Sequence, residues 1–238
     1  MKNNITLFYF FFTFIIFFTP SIHSKTPLIM LDPIGHADFT GRKLLNGYER
    51  GIMLTFAQNL QTALQNDYQL ETVISRKAGE SIAPLEIASF ANRLQVGLFI
   101  NLQAFLTPNA KPIINIYHLC FNKFTEFNQS IFEPGTFIPV EKAHIINIKK
   151  TATIAASLKT LLIQSENIKF FDTSNPLALP IKSLTGITAP AISLEIGIAN
   201  EKLLTELISP LAKTISDCYK KHIISQNSLL QKTLEMQN

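Results

Sequence analysis

Cysteine is scarce in this chain: Cys120 and Cys218 are the only two in 238 residues, and they lie far apart. They form no metal-binding pair, which excludes a cysteine-built metal site. An exported protein can join such a pair. Set against that, Cys218 falls on the apolar stripe Leu211, Ile215, Cys218, His222, which favours two buried thiols. Excess charge is equally scarce. The formal net charge is +4 and dispersed, which argues little for nucleic acid and gives at most a weak preference for an anionic polymer such as cell wall. Beyond the first 24 residues, no stretch is long and apolar enough to span a bilayer. There is no internal repeat, and no low-complexity tract outside that first segment.

The segment itself carries one charge, Lys2, ahead of the Phe-rich apolar run Ile5 to Phe18 and the sequence Thr19-Pro20-Ser21-Ile22-His23-Ser24. A run of about fourteen residues is short of the roughly twenty a spanning helix needs, which favours reading residues 1–24 as a signal peptide cut after Ser24 over an uncleaved membrane anchor. Export to the periplasm or the exterior follows, with no membrane attachment after cleavage. About 214 residues remain, enough for one sizeable core. One domain is expected over 25–225, followed by a polar tail, 226–238.

Within that domain the apolar pattern alternates between strand and helix. Pro27 to Asp32 reads as a strand. Ile52, Met53, Phe56, Ala57, Leu60, Ala63 and Leu64 form a helical stripe of about five turns. Leu70 to Ser75 is a strand, Pro84 opens a second helix, and Val96 to Gln103 is a nearly continuous apolar strand. Short connections predict right-handed crossovers and an α/β fold: a single domain, its mostly parallel sheet flanked by helices on both faces. Pro112 to Phe121 is a fourth strand, and a Phe-rich insertion of about 121–145 packs over the sheet end. A helix over Ile148 to Gln164, a strand over Lys169 to Ser174 and a buried strand over Ala189 to Gly197 follow. Ser209 is the expected cap of a last helix, with Pro210 at its first position.

Three residues stand out chemically. His36 follows a Pro/Gly-broken turn just past the first strand, and Glu49 heads the first long helix. Ligands of α/β folds bind past strand carboxyl ends, and catalytic zinc takes mixed His and carboxylate ligands. Taken alone, one His and one Glu in a polar loop are unremarkable. Glu195 sits inside the apolar run Ala189 to Gly197, so it must be paired, protonated or facing a cleft. Burial would raise its pKa towards that of a general acid/base. A structural ion pair with Arg76 or a lysine is the equally weighted alternative.

In sequence order, these blocks resemble the zinc-dependent N-acetylmuramoyl-L-alanine amidases, which hydrolyse peptidoglycan. Asp32-Pro33-Ile34-Gly35-His36 matches the family's opening D-P-G-H-G, and Gly47-Tyr48-Glu49 its glutamate at the first long helix. Ser75-Arg76 stands for Thr-Arg, Ala91-Asn92 for Ala-Asn, and Gly97 to Phe105 for the third strand. Pro190 to Asn200 matches the last, P-A-V-L-V-E-x-G-F-x-x-N. The resemblance covers about residues 27–223. It implies metal positions at His36, Glu49 and Gln103, zinc as cofactor, Glu195 as the catalytic carboxylate and peptidoglycan as partner. The bond cut would join N-acetylmuramic acid to L-alanine.

Two departures matter. Ile34 is an extra residue in the opening turn, and Gln103 replaces the family's third histidine. A neutral amide oxygen is a poor zinc ligand, so weak zinc and weakened activity are expected, and Gln103→His is the change expected to raise both. His118, on the next strand, is a weak candidate substitute, since a lone histidine on an apolar strand is ordinarily a satisfied core residue. The competing functions are an inactive pseudo-amidase that binds peptidoglycan, and an exported α/β protein whose likeness is of fold only.

Overall fold

The computed structural model describes residues 27–36, 38–120, 138–164 and 170–225. The expected signal peptide, most of the Phe-rich insertion and the polar tail lie outside the described residues. The chain runs β1 (Ile29–Pro33), α1 (Glu49–Tyr68), β2 (Thr72–Ile74), α2 (Pro84–Arg93), β3 (Leu98–Leu106) and β4 (Ile113–Leu119). It continues with α3 (Ile148–Ile163), β5 (Asp172–Thr173), β6 (Leu177–Leu179), β7 (Ala191–Ile198) and α4 (Lys202–Tyr219). One sheet takes the order β2-β1-β3-β7-β4-β5, with β6 also on β4. Every pairing is parallel except that of β4 with β7.

The layering follows from the strand order. The chain steps from β1 to β2 on one side, then crosses back over β1 to β3 on the other. With right-handed crossovers, that reversal puts α1 and α2 on opposite faces and opens a crevice at the carboxyl ends of β1 and β3. One face carries the larger core: Leu31, Ile100, Leu102, Ile192 and Leu194 pack against Met53, Phe56 and Leu60 of α1, Ile154 of α3 and Leu211 of α4. The other holds a smaller cluster in which Met30 and Phe99 meet Ile87, Ala88 and Ala91 of α2, with Leu184 of a short 3₁₀ turn.

Local sequence explains most boundaries. The helical stripe of α1 ends at Gln69, a left-handed C-cap (φ 58°) whose N–H returns to the carbonyls of Leu64 and Gln65. Pro84 sits in the first turn of α2, where Glu86 accepts the Ala83 N–H at 2.9 Å.

Four expectations need correction. Helix α4 begins at Lys202, whose N–H meets the Asn200 side chain at 3.1 Å, and Pro210 lies inside it. Leu204 and Leu207 extend the buried stripe back past Ser209, and that burial outweighs the hydrogen bond a proline cannot make. The end of the expected insertion, 140–145, belongs to a 3₁₀ helix, Val140–Asn147. The strand expected over Lys169 to Ser174 shrinks to Asp172–Thr173. Cys218 is buried, but Cys120 is exposed, and both are free thiols.

Asn92 links the smaller core to the strand that follows it. Its amide donates to the Gly186 carbonyl at 2.8 Å, and its oxygen accepts the Thr188 N–H and hydroxyl, both at 2.8 Å. Replacing it by alanine leaves three partners short of a bond, so Asn92→Ala should lower stability by about 1–3 kcal/mol in urea unfolding at unchanged m.

Candidate functional site

Polar side chains recur at alternate positions on the α2 side of the sheet: Asp32, Asn101 and Gln103, Ser193 and Glu195, Asn115 and Tyr117. Strand register turns this alternation into two rows. Asp32 lies opposite Asn101, Asn101 opposite Ser193 and Ser193 opposite Tyr117, while Gln103 lies opposite Glu195 and Glu195 opposite Asn115. The first row is bonded almost end to end. Ser75 Oγ donates to Asp32 at 2.6 Å, Asn101 Nδ2 to Asp32 at 2.9 Å, and Ser193 Oγ to Asn101 Oδ1 at 3.0 Å. Gln103 Nε2 joins it, donating to Asn101 Oδ1 at 2.8 Å and Ser193 Oγ at 3.1 Å.

Glu49 is buried at the head of α1. Its Oε1 accepts the Ala104 N–H at 2.7 Å and its Oε2 accepts the Arg42 N–H at 2.9 Å, while its own N–H returns to the Arg42 carbonyl. Gly41 makes that wrap feasible: its φ is +77°, and a Cβ there would lie 2.8 Å from both Glu49 Cβ and Oε2. The Arg42 side chain then crosses to β7. Its Nη1 donates to the Ala104 carbonyl at 3.2 Å and its Nη2 to Glu195 Oε1 at 2.6 Å. Glu195 Oε2 accepts the Tyr117 hydroxyl at 2.9 Å. Burial, then the bond to Glu195 and its charge, push the Tyr117 phenol up to about 12.

The ion-pair partner of Glu195 is thus Arg42 and not Arg76. Arg76 instead donates to the carbonyls of Pro33, Ile34 and Arg50, closing off the β1 exit. Ile34, the extra turn residue, donates its N–H to Leu102 at 3.0 Å and so extends the β1–β3 alignment by one position. His36 follows in a tight turn, its N–H and carbonyl both bonded to Phe39. The imidazole is 41% exposed, with Nδ1 3.9 Å from Asp38. A cleft of about 310 Å³ takes in His36, Asp32, Asn101 and Gln103, but is lined by neither Glu49 nor Glu195. His118 shares the sheet face of Ile114 and Ile116, opposite to Gln103, so it cannot replace Gln103 without reversing the strand.

As placed, these residues do not fit a zinc ion. Among the described residues no three His, Cys, Asp or Glu side chains converge on one point. Both Glu49 oxygens already accept backbone N–H groups, and the Gln103 amide nitrogen is turned into the polar row. No reaction step through zinc is derived from this arrangement.

Neither a family sequence model nor a curated protein sequence matches the chain. Solved structures do. An N-acetylmuramoyl-L-alanine amidase from Clostridium difficile 630 matches at 15% identity and TM-score 0.59, over 85% of this chain and 99% of that one. The apo form of the N-acetylmuramyl-L-alanine amidase Ami1 from Mycobacterium abscessus matches at 11% identity and TM-score 0.57, over 82% and 98%. The amidase AmiC2 of Nostoc punctiforme matches at 15% identity and TM-score 0.54, over 83% and 97%. The chain therefore has the fold of N-acetylmuramoyl-L-alanine amidase catalytic domains across most of its length. At these identities the likeness is one of fold, and no helix among the described residues is long and apolar enough to cross a membrane.

Sequence reading missed Arg42 and the polar rows. Alternation of polar residues at 101 and 103, 193 and 195, and 115 and 117 was the available signal for the rows. Arg42 had only the preceding Gly41 to mark it, and its role depends on contacts 62 and 153 residues away.

Burial holds the Asp32 carboxyl above its ordinary 3.8, against hydrogen bonds from Ser75 and Asn101 and the charge of Arg76. The folded chain therefore keeps this proton more readily than the unfolded chain. Asp32 stabilises the fold below its unfolded pKa, and that contribution is lost as pH rises through the raised folded value. Asp32→Asn cannot ionise, so its stability relative to wild type should increase from about pH 3 to pH 7 in urea unfolding.

Proposed function

We propose that this protein works at peptidoglycan as an amidase-like protein. Its cleft would receive the muramoyl-peptide, with zinc-dependent hydrolysis of the N-acetylmuramoyl–L-alanine amide much weaker than a three-ligand site gives. The observation that supports this reading best is the position of Glu195. It lies on the polar face of β7, opposite Gln103, in the fold of solved structures that carry the name of that amidase. In this reading Glu195 would hold and move the proton. Both its oxygens are engaged, by Arg42 and by Tyr117, so a water would have to displace one of them before Glu195 took its proton. Action on cell wall fits export of the chain to the periplasm or the exterior.

A second reading, binding without cutting, is favoured by one observation, the Arg42–Glu195 ion pair. Its two groups are 2.6 Å apart, and the carboxylate is only 15% exposed.

Retention of the protein on purified sacculi, measured together with release of stem peptide in zinc-containing buffer, tests the proposal. Retention is expected, with release at least about 100-fold below that of an amidase with three zinc ligands. Retention with no release at all selects the binding-only reading. Failure to be retained overturns both.

A further inference from the structure

The disagreement between this donor set and zinc has a specific cause in the structure. Taking the site to be amidase-type, as proposed above, we infer that Arg42 is the resident cation of its Glu195 edge. The guanidinium is held against Glu195, which lies opposite Gln103 in the sheet, so metal affinity is limited by Arg42 as well as by Gln103.

Three features hold Arg42 there. The first is the clip with Glu49, whose two oxygens accept the N–H groups of Arg42 and Ala104 and so fix the Arg42 backbone beside β3. Glu49 is 1% exposed, so opening the clip would leave buried N–H groups unpaired, and the Arg42 backbone stays where it is. The second is the fork of the guanidinium, which reaches the Ala104 carbonyl and Glu195 at once. A lysine ammonium lacks that planar two-point geometry but keeps the charge. The third is the surface beneath it. The guanidinium carbon lies 5.7 Å from the centroid of the Phe105 ring. That ring rests against Gly197, where a Cβ would come within 2.6 Å of Phe105 Cζ. A side chain at 197 would lift Phe105 and, with it, the platform for Arg42.

A fixed positive charge beside Glu195 repels an incoming divalent cation and satisfies the negative charge that would attract it. Restoring a histidine at 103 supplies a better donor but leaves the repulsion in place. Gln103→His alone, the remedy expected from the sequence, is therefore insufficient.

The test is zinc affinity, measured by competition with a chromophoric chelator, for wild type, Q103H, R42Q/Q103H and R42K/Q103H, with folding checked by circular dichroism. Q103H should stay within about threefold of wild type, R42Q/Q103H should bind at least about thirtyfold tighter than Q103H, and R42K/Q103H should stay close to Q103H. A gain by Q103H equal to that of R42Q/Q103H overturns the inference. So does R42K/Q103H matching R42Q/Q103H, because the charge would then not be what keeps metal out. If R42Q/Q103H does not fold, R42M/Q103H serves instead, since it removes the charge, keeps an apolar stem against Phe105 and leaves the three metal positions untouched. At least about tenfold over Q103H is then expected, and no gain overturns the inference. Sacculus retention of the same proteins is read separately. Its loss with the zinc pattern intact removes the peptidoglycan reading and leaves the role of Arg42 standing.

Discussion

Glu49 is the point on which the carboxyl-terminal edge of the sheet depends. One buried carboxylate accepts a backbone N–H from β3 and another from the loop that precedes α1, so it fixes the helix head, the loop and the strand to one another. Charge-assisted bonds of this kind are stronger than neutral ones, and leaving their buried partners unmet is costly. Because the second N–H belongs to Arg42, the same clip that builds the edge also aims a cation across it at Glu195. Architecture and electrostatics of this edge thus have a common origin.

The polar rows show how a cleft can survive in a sheet whose other face is mostly apolar. Residues one apart on each strand take opposite sides, so Ile100, Leu102, Ile192 and Leu194 build the larger core, while Asn101, Gln103, Ser193 and Glu195 face the α2 side. Gln103 is bonded within the first row. An amide suits that place because it donates to two acceptors at once. In this setting residue 103 serves the row's internal hydrogen bonding more than it offers a free donor to a ligand.

The alternation of strand and helix in the apolar pattern was legible because burial imposes it locally: α1, α2 and α3 appear with nearly the boundaries their stripes predict. The Ser209-Pro210 pair misled because a start signal was read without the buried leucines upstream of it, which carry α4 back to Lys202. The amidase fold was legible from short blocks at strand ends. Which side chains meet there was not. Glu195 was correctly marked as needing a partner, but that partner comes from a loop 153 residues earlier, and nothing around Arg42 encodes the distance. His36 and Glu49 are close in sequence, yet a tight turn places His36 in a cleft that Glu49 does not line.

The most direct measurement is a crystal structure of the wild-type protein grown in excess zinc, with anomalous data collected at the zinc edge. The account predicts Arg42 bonded to Glu195, Glu49 still holding the N–H groups of Arg42 and Ala104, and no fully occupied zinc at His36 and Glu49. A zinc peak within about 2 Å of His36 and Glu49 ligand atoms, with the guanidinium swung out to solvent, would contradict it.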